Sequence, residues 1–295
     1  MLSDAGRITP QLTRIFVVGC SRSGTTVVQK ALTERYRLYS LPETDFFGLS
    51  VGGGIGALTC HLGISRPRRV YHRAFERLKT LLPDDPALTE AVGSWRFRAL
   101  VEQFTAVLDR QTRNTGEYGW LEKTPKHFRH TNLIARFVPQ AKIIHVVRPG
   151  PDVVASIHDR AMRYPEQFGR QQDIGYAINL WNRAIRTAHN DIMGQRALIL
   201  RYEDFVESPE VYLKRLGMLL GVPERTAKQD TSPVILSSEP WKLGSKASIH
   251  RVPSKFNDVF DPETRRVILA KLDIRAYESL AGHALNATPH VHEAK

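Results

Sequence analysis

The sequence predicts a three-layer α/β domain: a central, mainly parallel sheet flanked by helices, with a helical insertion. Three observations predict it. Short apolar runs rich in β-branched residues read as buried strands, namely Ile15-Phe16-Val17-Val18, Ile143-Ile144-His145-Val146-Val147 and Ala197-Leu198-Ile199-Leu200. Each gives way to a polar turn and then to a segment of helical period, the alternation that builds parallel sheets. The first of those turns, Gly19 to Thr26, places small residues between a strand and a helix start. Unpaired N–H groups and the helix dipole there favour an anion, and glycine lets backbone approach it closely.

The chain has 295 residues, 42% hydrophobic and 24% charged, which suits one α/β domain over 1–295. Its formal charge is +12, from 42 Lys and Arg against 30 Asp and Glu. That balance fits nucleic acid, an anionic surface or a polyanionic small molecule. No zinc-finger spacing, RNP-like aromatic motif or long basic run occurs, so we expect no nucleic-acid partner. The short cluster Arg66-Pro67-Arg68-Arg69 reads as a solvated loop. The two cysteines, Cys20 and Cys60, make no disulfide framework and fit a reducing compartment. Cys20 reads as a small buried filler. The N-terminal residues show no signal-peptide h-region, and no apolar run reaches membrane-spanning length. A cytoplasmic protein is expected.

The first loop nearly matches the ATP-binding pattern G-x-x-x-x-G-K-[ST], which makes the domain P-loop-like. Thr25, however, stands where the lysine belongs, and the loop's fixed charge is Arg22. A guanidinium suits bidentate contact with phosphate or sulfate oxygens. After the first helix, residues 37–41 read as a second strand, with Glu43 just beyond its end. Gly52 to Ala57 fits G-x-G-x-x-G/A, but Gly63 and Pro67 would break the required helix and no strand follows. We therefore read 46–63 as a loop over a pocket. Residues 71–82 and 88–112 read as helices of an insertion spanning about 64–114.

A strand over 117–121 ends in Glu122-Lys123-Thr124-Pro125, with Thr124 capping one helix that holds His127 and runs to Pro139. The strand at 141–147 ends at Arg148, and Ser156 lies about two turns into the next helix, able to face back toward it. His145 reads as core. Helices follow over 173–193, 209–220 and 262–280. The strand at 197–200 ends at Arg201-Tyr202-Glu203-Asp204, and residues 231–258 form a loop-like segment with Ser248 and Arg251 among its basic and polar residues. The tail from about 282 to 295 reads as loose. In a parallel sheet these strand ends converge on one rim, where ligands sit. The ligand should carry phosphates at more than one place.

At the level of motifs the chain resembles the sulfotransferases that use 3′-phosphoadenosine-5′-phosphosulfate (PAPS), in the bacterial or tyrosylprotein-type branch. Their 5′-phosphosulfate loop reads P-[KR]-S-G-T-T; here it is Ser21-Arg22-Ser23-Gly24-Thr25-Thr26, departing at the first position. Arg148 and Ser156 match the spacing of their 3′-phosphate motif, Glu122 to Pro125 resembles their EKTP element, and Tyr202 a nucleotide-contacting tyrosine. The resemblance implies sulfuryl transfer to a hydroxyl acceptor without a metal, releasing adenosine 3′,5′-bisphosphate. It implies donor binding by Arg22, Ser23, Gly24, Thr25, Thr26, Arg148, Ser156 and Tyr202, and more loosely by Ser248 and Arg251. Arg22 and Lys123 would stabilise charge. The general base would be Glu43, twenty-one residues beyond Arg22, or His127. The acceptor stays open among carbohydrate, lipid, phenol and tyrosine. Two other readings remain at this point: a P-loop small-molecule kinase, and a non-catalytic nucleotide- or polyanion-binding module.

Overall fold

The computed structural model describes residues 11–52, 55–65, 69–89, 94–226, 249 and 252–285. Ser248 and Arg251, most of the 231–258 segment, the Arg66 cluster up to residue 68, residues 1–10 and the tail from 286 lie outside the described residues.

Among the described residues, five strands form one fully parallel sheet: β1 (Thr13–Gly19), β2 (Leu38–Ser40), β3 (Gly119–Lys123), β4 (Lys142–Val147) and β5 (Ala197–Arg201), in the order β2-β3-β1-β4-β5. Register sets Val17 beside Lys123 and Gly19 beside Val146, so β3 ends two residues before β1 and β4 one residue past it, all at the same edge of the sheet. Side chains alternate between two faces. Phe16, Val18, Trp120 and Ile143 enter one core; Ile15, Val17, Leu121, Ile144 and Leu200 enter the other.

In chain order, helix α1 (Thr25–Arg35) follows β1. After β2 come α2 (Phe46–Val51), α3 (Ile55–His61), α4 (Arg69–Leu81), α5 (Pro86–Thr89) and α6 (Phe97–Asn114). A 3-10 turn (Pro125–His130) and α7 (Thr131–Phe137) link β3 to β4. Then follow α8 (Gly150–Arg163), α9 (Pro165–Phe168) and α10 (Ile174–Met193). Beyond β5 come α11 (Tyr202–Glu207), α12 (Pro209–Leu220), α13 (Phe256–Val259), α14 (Pro262–Lys271) and α15 (Ile274–Ser279). No helix among the described residues is long and apolar enough to cross a membrane.

Several expectations are corrected. Residues 46–63 hold two short helices rather than a loop, because Phe46 and Phe47 pack inward against Phe104 and Phe97. The expected helix over 88–112 is α5 and α6, and Ser94 to Arg96 before α6 lie outside any helix. β3 runs to Lys123, two residues past its expected end. The helix after it is broken into a 3-10 turn and α7. Thr124 does not cap that turn with its side chain; its hydroxyl donates instead to Glu122 Oε1 at 2.6 Å. The last helix breaks at Leu272-Asp273, where Asp273 caps α15. The start of the tail is docked: Leu285 N–H donates to Ile199 O of the edge strand. His145 is fully buried and bonds Asp191 at 2.9 Å, as core.

Candidate active site

The loop after β1 is a cradle. Gly19 has φ +153, and a Cβ there would lie 2.4 Å from Val146 O, so only glycine lets β1 close on β4. Ser23 N–H donates to Cys20 O and folds the loop back. Arg22 sits at φ +74, a costly conformation for a side-chain-bearing residue, which the loop imposes. Gly24, at φ +94, lies against the Tyr202 ring, where a Cβ would come within 2.2 Å. Thr25 and Thr26 are buried in the first turn of α1, whose N–H groups open onto the loop. The Ser23 hydroxyl is buried with no hydrogen-bond partner among the described residues. Such an orphan fits a phosphate oxygen.

Guanidinium groups crowd this cradle. Arg22 Nε donates to Ser156 Oγ at 3.0 Å. Ser156 thus faces the β1 loop and ties α8 to it. Burial, then the Arg148 charge, hold the Arg22 pKa below its usual value, against the opposing pull of Asp159 and Tyr202. Arg148 stacks over the Tyr202 ring, 5.0 Å from its centroid, and reaches Asp152 at 3.4 Å. Tyr202 is buried at the head of α11, its hydroxyl pKa raised by burial and drawn back by Arg148 and Arg22.

Sequence reasoning missed Arg160. It is buried on α8, stacks over Phe168 at 4.2 Å, and bonds Gln171 at 2.7 Å and Ser21 at 3.5 Å. Its Nε is buried without a partner among the described residues, and burial with the Arg22 charge brings its pKa down to about 10. The available signal was its place one turn after Ser156 on the same helix face. Cations held this close with an orphaned N–H and hydroxyl fit a ligand bearing several negative charges.

Lys123, the last residue of β3, is fully buried. Its Nζ donates to Thr26 Oγ1 at 3.1 Å and to Glu43 Oε1 at 2.6 Å. The loop, the strand end and the carboxylate therefore meet at one amine. Gln29 of α1 holds the start of the Glu43 segment by donating to Ser40 Oγ and Leu41 O. Arg77 of α4 clamps it from the other side through Glu43 O. The Glu43 side chain keeps 25% of its exposure.

Glu122 is buried beneath this group. Its Oε1 accepts from Thr44 Oγ1 at 2.7 Å and Thr124 Oγ1 at 2.6 Å, and its Oε2 from His127 Nδ1 at 3.0 Å. Burial pushes its pKa up, but His127, Thr124 and Thr44 outweigh it and hold the carboxyl below its ordinary range. His127 Nε2 accepts from Phe47 N–H at 3.1 Å, which fixes the tautomer and leaves Nδ1 as donor to Glu122. With no exposure and both nitrogens engaged, His127 is placed in the scaffold, not at the cavity.

A cavity of about 290 Å³ adjoins Glu43, lined by Ser21, Asp45, Leu49, Arg77, Thr124, Pro125 and Lys126 besides. A cradle for an anion opening beside a carboxylate-faced cavity is the plan of a group-transfer site.

Residues 14–226 match the sulfotransferase family, and the chain belongs to it. An uncharacterized protein of Aquifex aeolicus (strain VF5) is 24% identical over 221 residues, 72% of this chain; the chain spans 26% of that relative's length. The fold is similar to the sulfotransferase domain of the Synechococcus PCC 7002 olefin synthase, with a TM-score of 0.58, 23% identity, and 91% of this chain and 94% of that one covered. It is also similar to the sulfotransferase domain from the curacin biosynthetic pathway, with a TM-score of 0.52, 18% identity, and 89% and 98% covered.

Proposed function

We propose that the chain transfers a sulfuryl group from PAPS to a hydroxyl acceptor, in the cytoplasm. The observation that carries this reading is Lys123 Nζ, buried between Thr26 Oγ1 of the anion loop and Glu43 Oε1 at the cavity. One fixed amine joins the donor cradle to a carboxylate able to take a proton.

When bound, PAPS supplies the sulfuryl group, and adenosine 3′,5′-bisphosphate leaves as the acceptor oxygen forms its bond to sulfur. Ser23, Gly24, Thr25 and Thr26 would bind the 5′-phosphate, and Arg148 with Ser156 and Arg160 the 3′-phosphate. Tyr202 would pack on the nucleotide. Arg22 would stabilise charge on the leaving oxygen; a guanidinium stays protonated, so its part is electrostatic. Lys123 would neutralise the sulfuryl oxygens. Glu43 would take the hydroxyl proton, while His127 positions α2 through Phe47. These cations and the loop amides carry the charge that a metal carries in triphosphatases, so we expect activity in chelator.

The test is transfer from radiosulfur-labelled PAPS to a panel of hydroxyl compounds, with chelator present. Glu43→Gln is expected to lower kcat about 100-fold or more, in the range of a lost general base. His127→Ala is expected to lower the melting temperature and to spare more of the rate. The reverse ranking would move the base to His127 and overturn the assignment of Glu43.

A further inference from the structure

The cavity beside Glu43 has a definite chemical character. Its apolar lining is Leu49 and Pro125; the rest is Ser21, Thr124, Asp45, Arg77, Lys126 and Glu43 itself. Asp45 stands out in that set. No hydrogen bond or ion pair to its carboxylate exists among the described residues, and Oδ1 is buried without a partner. The group is nevertheless held firmly. Its N–H donates to Thr124 Oγ1 at 3.2 Å, its backbone is left-handed at φ +49, and the carboxylate rests on Gly48, where a Cβ would lie 2.3 Å from Oδ1. Oδ1 is sealed against Gly48, so a ligand donor would meet the carboxylate at Oδ2, which no described group bonds.

The neighbours decide which donor. Lys126 and Arg77 share the lining, and Lys123 bonds Glu43, so an ammonium on the acceptor would set its attraction to Asp45 against repulsion from those cations. An acidic acceptor would meet Asp45 and Glu43. A sterol or a bare phenol would bury its apolar surface against little more than Leu49 and Pro125. A neutral hydroxyl satisfies Asp45 and is repelled by neither sign. We propose that this cavity takes a neutral polyhydroxyl acceptor of the carbohydrate class, and that Asp45 selects it by accepting a hydrogen bond from a hydroxyl neighbouring the one sulfated. The proposal rests on the sulfuryl-transfer reading above.

The test compares the full chain with Asp45→Ala and Asp45→Asn. Labelled PAPS is offered with methyl glucoside, methyl galactoside or inositol, and separately with 4-nitrophenol, ethanolamine or an acidic tyrosyl peptide. Binding of adenosine 3′,5′-bisphosphate is titrated in parallel. At least one polyol should be the preferred acceptor. Asp45→Ala should raise its KM about 10- to 100-fold, the effect of losing a hydrogen bond to a charged group. The loss should fall on KM rather than kcat, with nucleotide affinity kept. Asp45→Asn, which preserves shape and an acceptor oxygen, should show a smaller rise and covers the case in which the alanine variant fails to fold. Intact nucleotide binding with every polyol refused, with the phenol, amine or peptide preferred, or with polyol KM unchanged in both variants, overturns the proposal. Absence of nucleotide binding in folded wild type removes the reading beneath it.

Discussion

Two glutamates near the end of β3 behave oppositely. Glu43 keeps a face on the cavity and bonds the Lys123 amine; Glu122 is enclosed by two hydroxyls and an imidazole. Glu122→Ala would strand Thr44, Thr124 and His127 together, and chemical denaturation should show a loss of about 3 kcal/mol. The sign of the pH effect follows from its depressed pKa. The unfolded chain binds the proton more readily than the folded one, so the stabilisation is present above about 4.5 and is lost as pH falls through the lower folded value. Glu122→Gln should flatten that acid limb in urea titrations between pH 5 and about 2. Cys20 offers a second check at this scale. Burial pushes its thiol up to about 12, so iodoacetamide should label it only on unfolding. The sequence made Cys20 legible as filler and put Glu43 and Lys123 at strand ends. It could not show that His127 is sealed, because burial of an imidazole depends on Phe47, which lies eighty positions away.

Among the elements, the turn from β1 into α1 was the most legible, since a β-branched run, two glycines at fixed spacing and helical periodicity agree there. Gly24 tests how tightly it is built. Gly24→Ala would force a Cβ into the Tyr202 ring at a φ of +94, and calorimetry should show both a lower melting temperature and weakened nucleotide binding. Gly52→Ala, with open space around it, is the control for φ strain alone. The helices α2 and α3 were less legible. Each is a turn or two long, and Gly48 and Gly52 dilute the period that would reveal them. The packing of Phe46 on Phe104 supplies what the local pattern lacks. The 3-10 turn after β3 escaped for a related reason: Pro125 marks a start, while the contacts of Glu122 and His127 fix its geometry.

At the scale of the molecule, the strand order places β1 between β3 and β4, so one loop lies between two flanking strand ends. Lys123 arrives from one side and Arg148 from just past the other. That convergence was foreseeable from alternation and handedness rules. The contribution of Arg160 was not, because its meaning comes from how α8 lies against Ser21 and Phe168. A net charge of +12 agrees with a polyanionic ligand, and the inward-facing arginines concentrate that charge at one rim. The most direct test of this account is isothermal titration of the full chain with adenosine 3′,5′-bisphosphate in chelator, for wild type and Arg148→Ala. We expect metal-free binding by wild type and about a 10-fold or greater loss in the variant, as for a removed charge-assisted contact. No binding by folded wild type, or equal binding by both proteins, would contradict it.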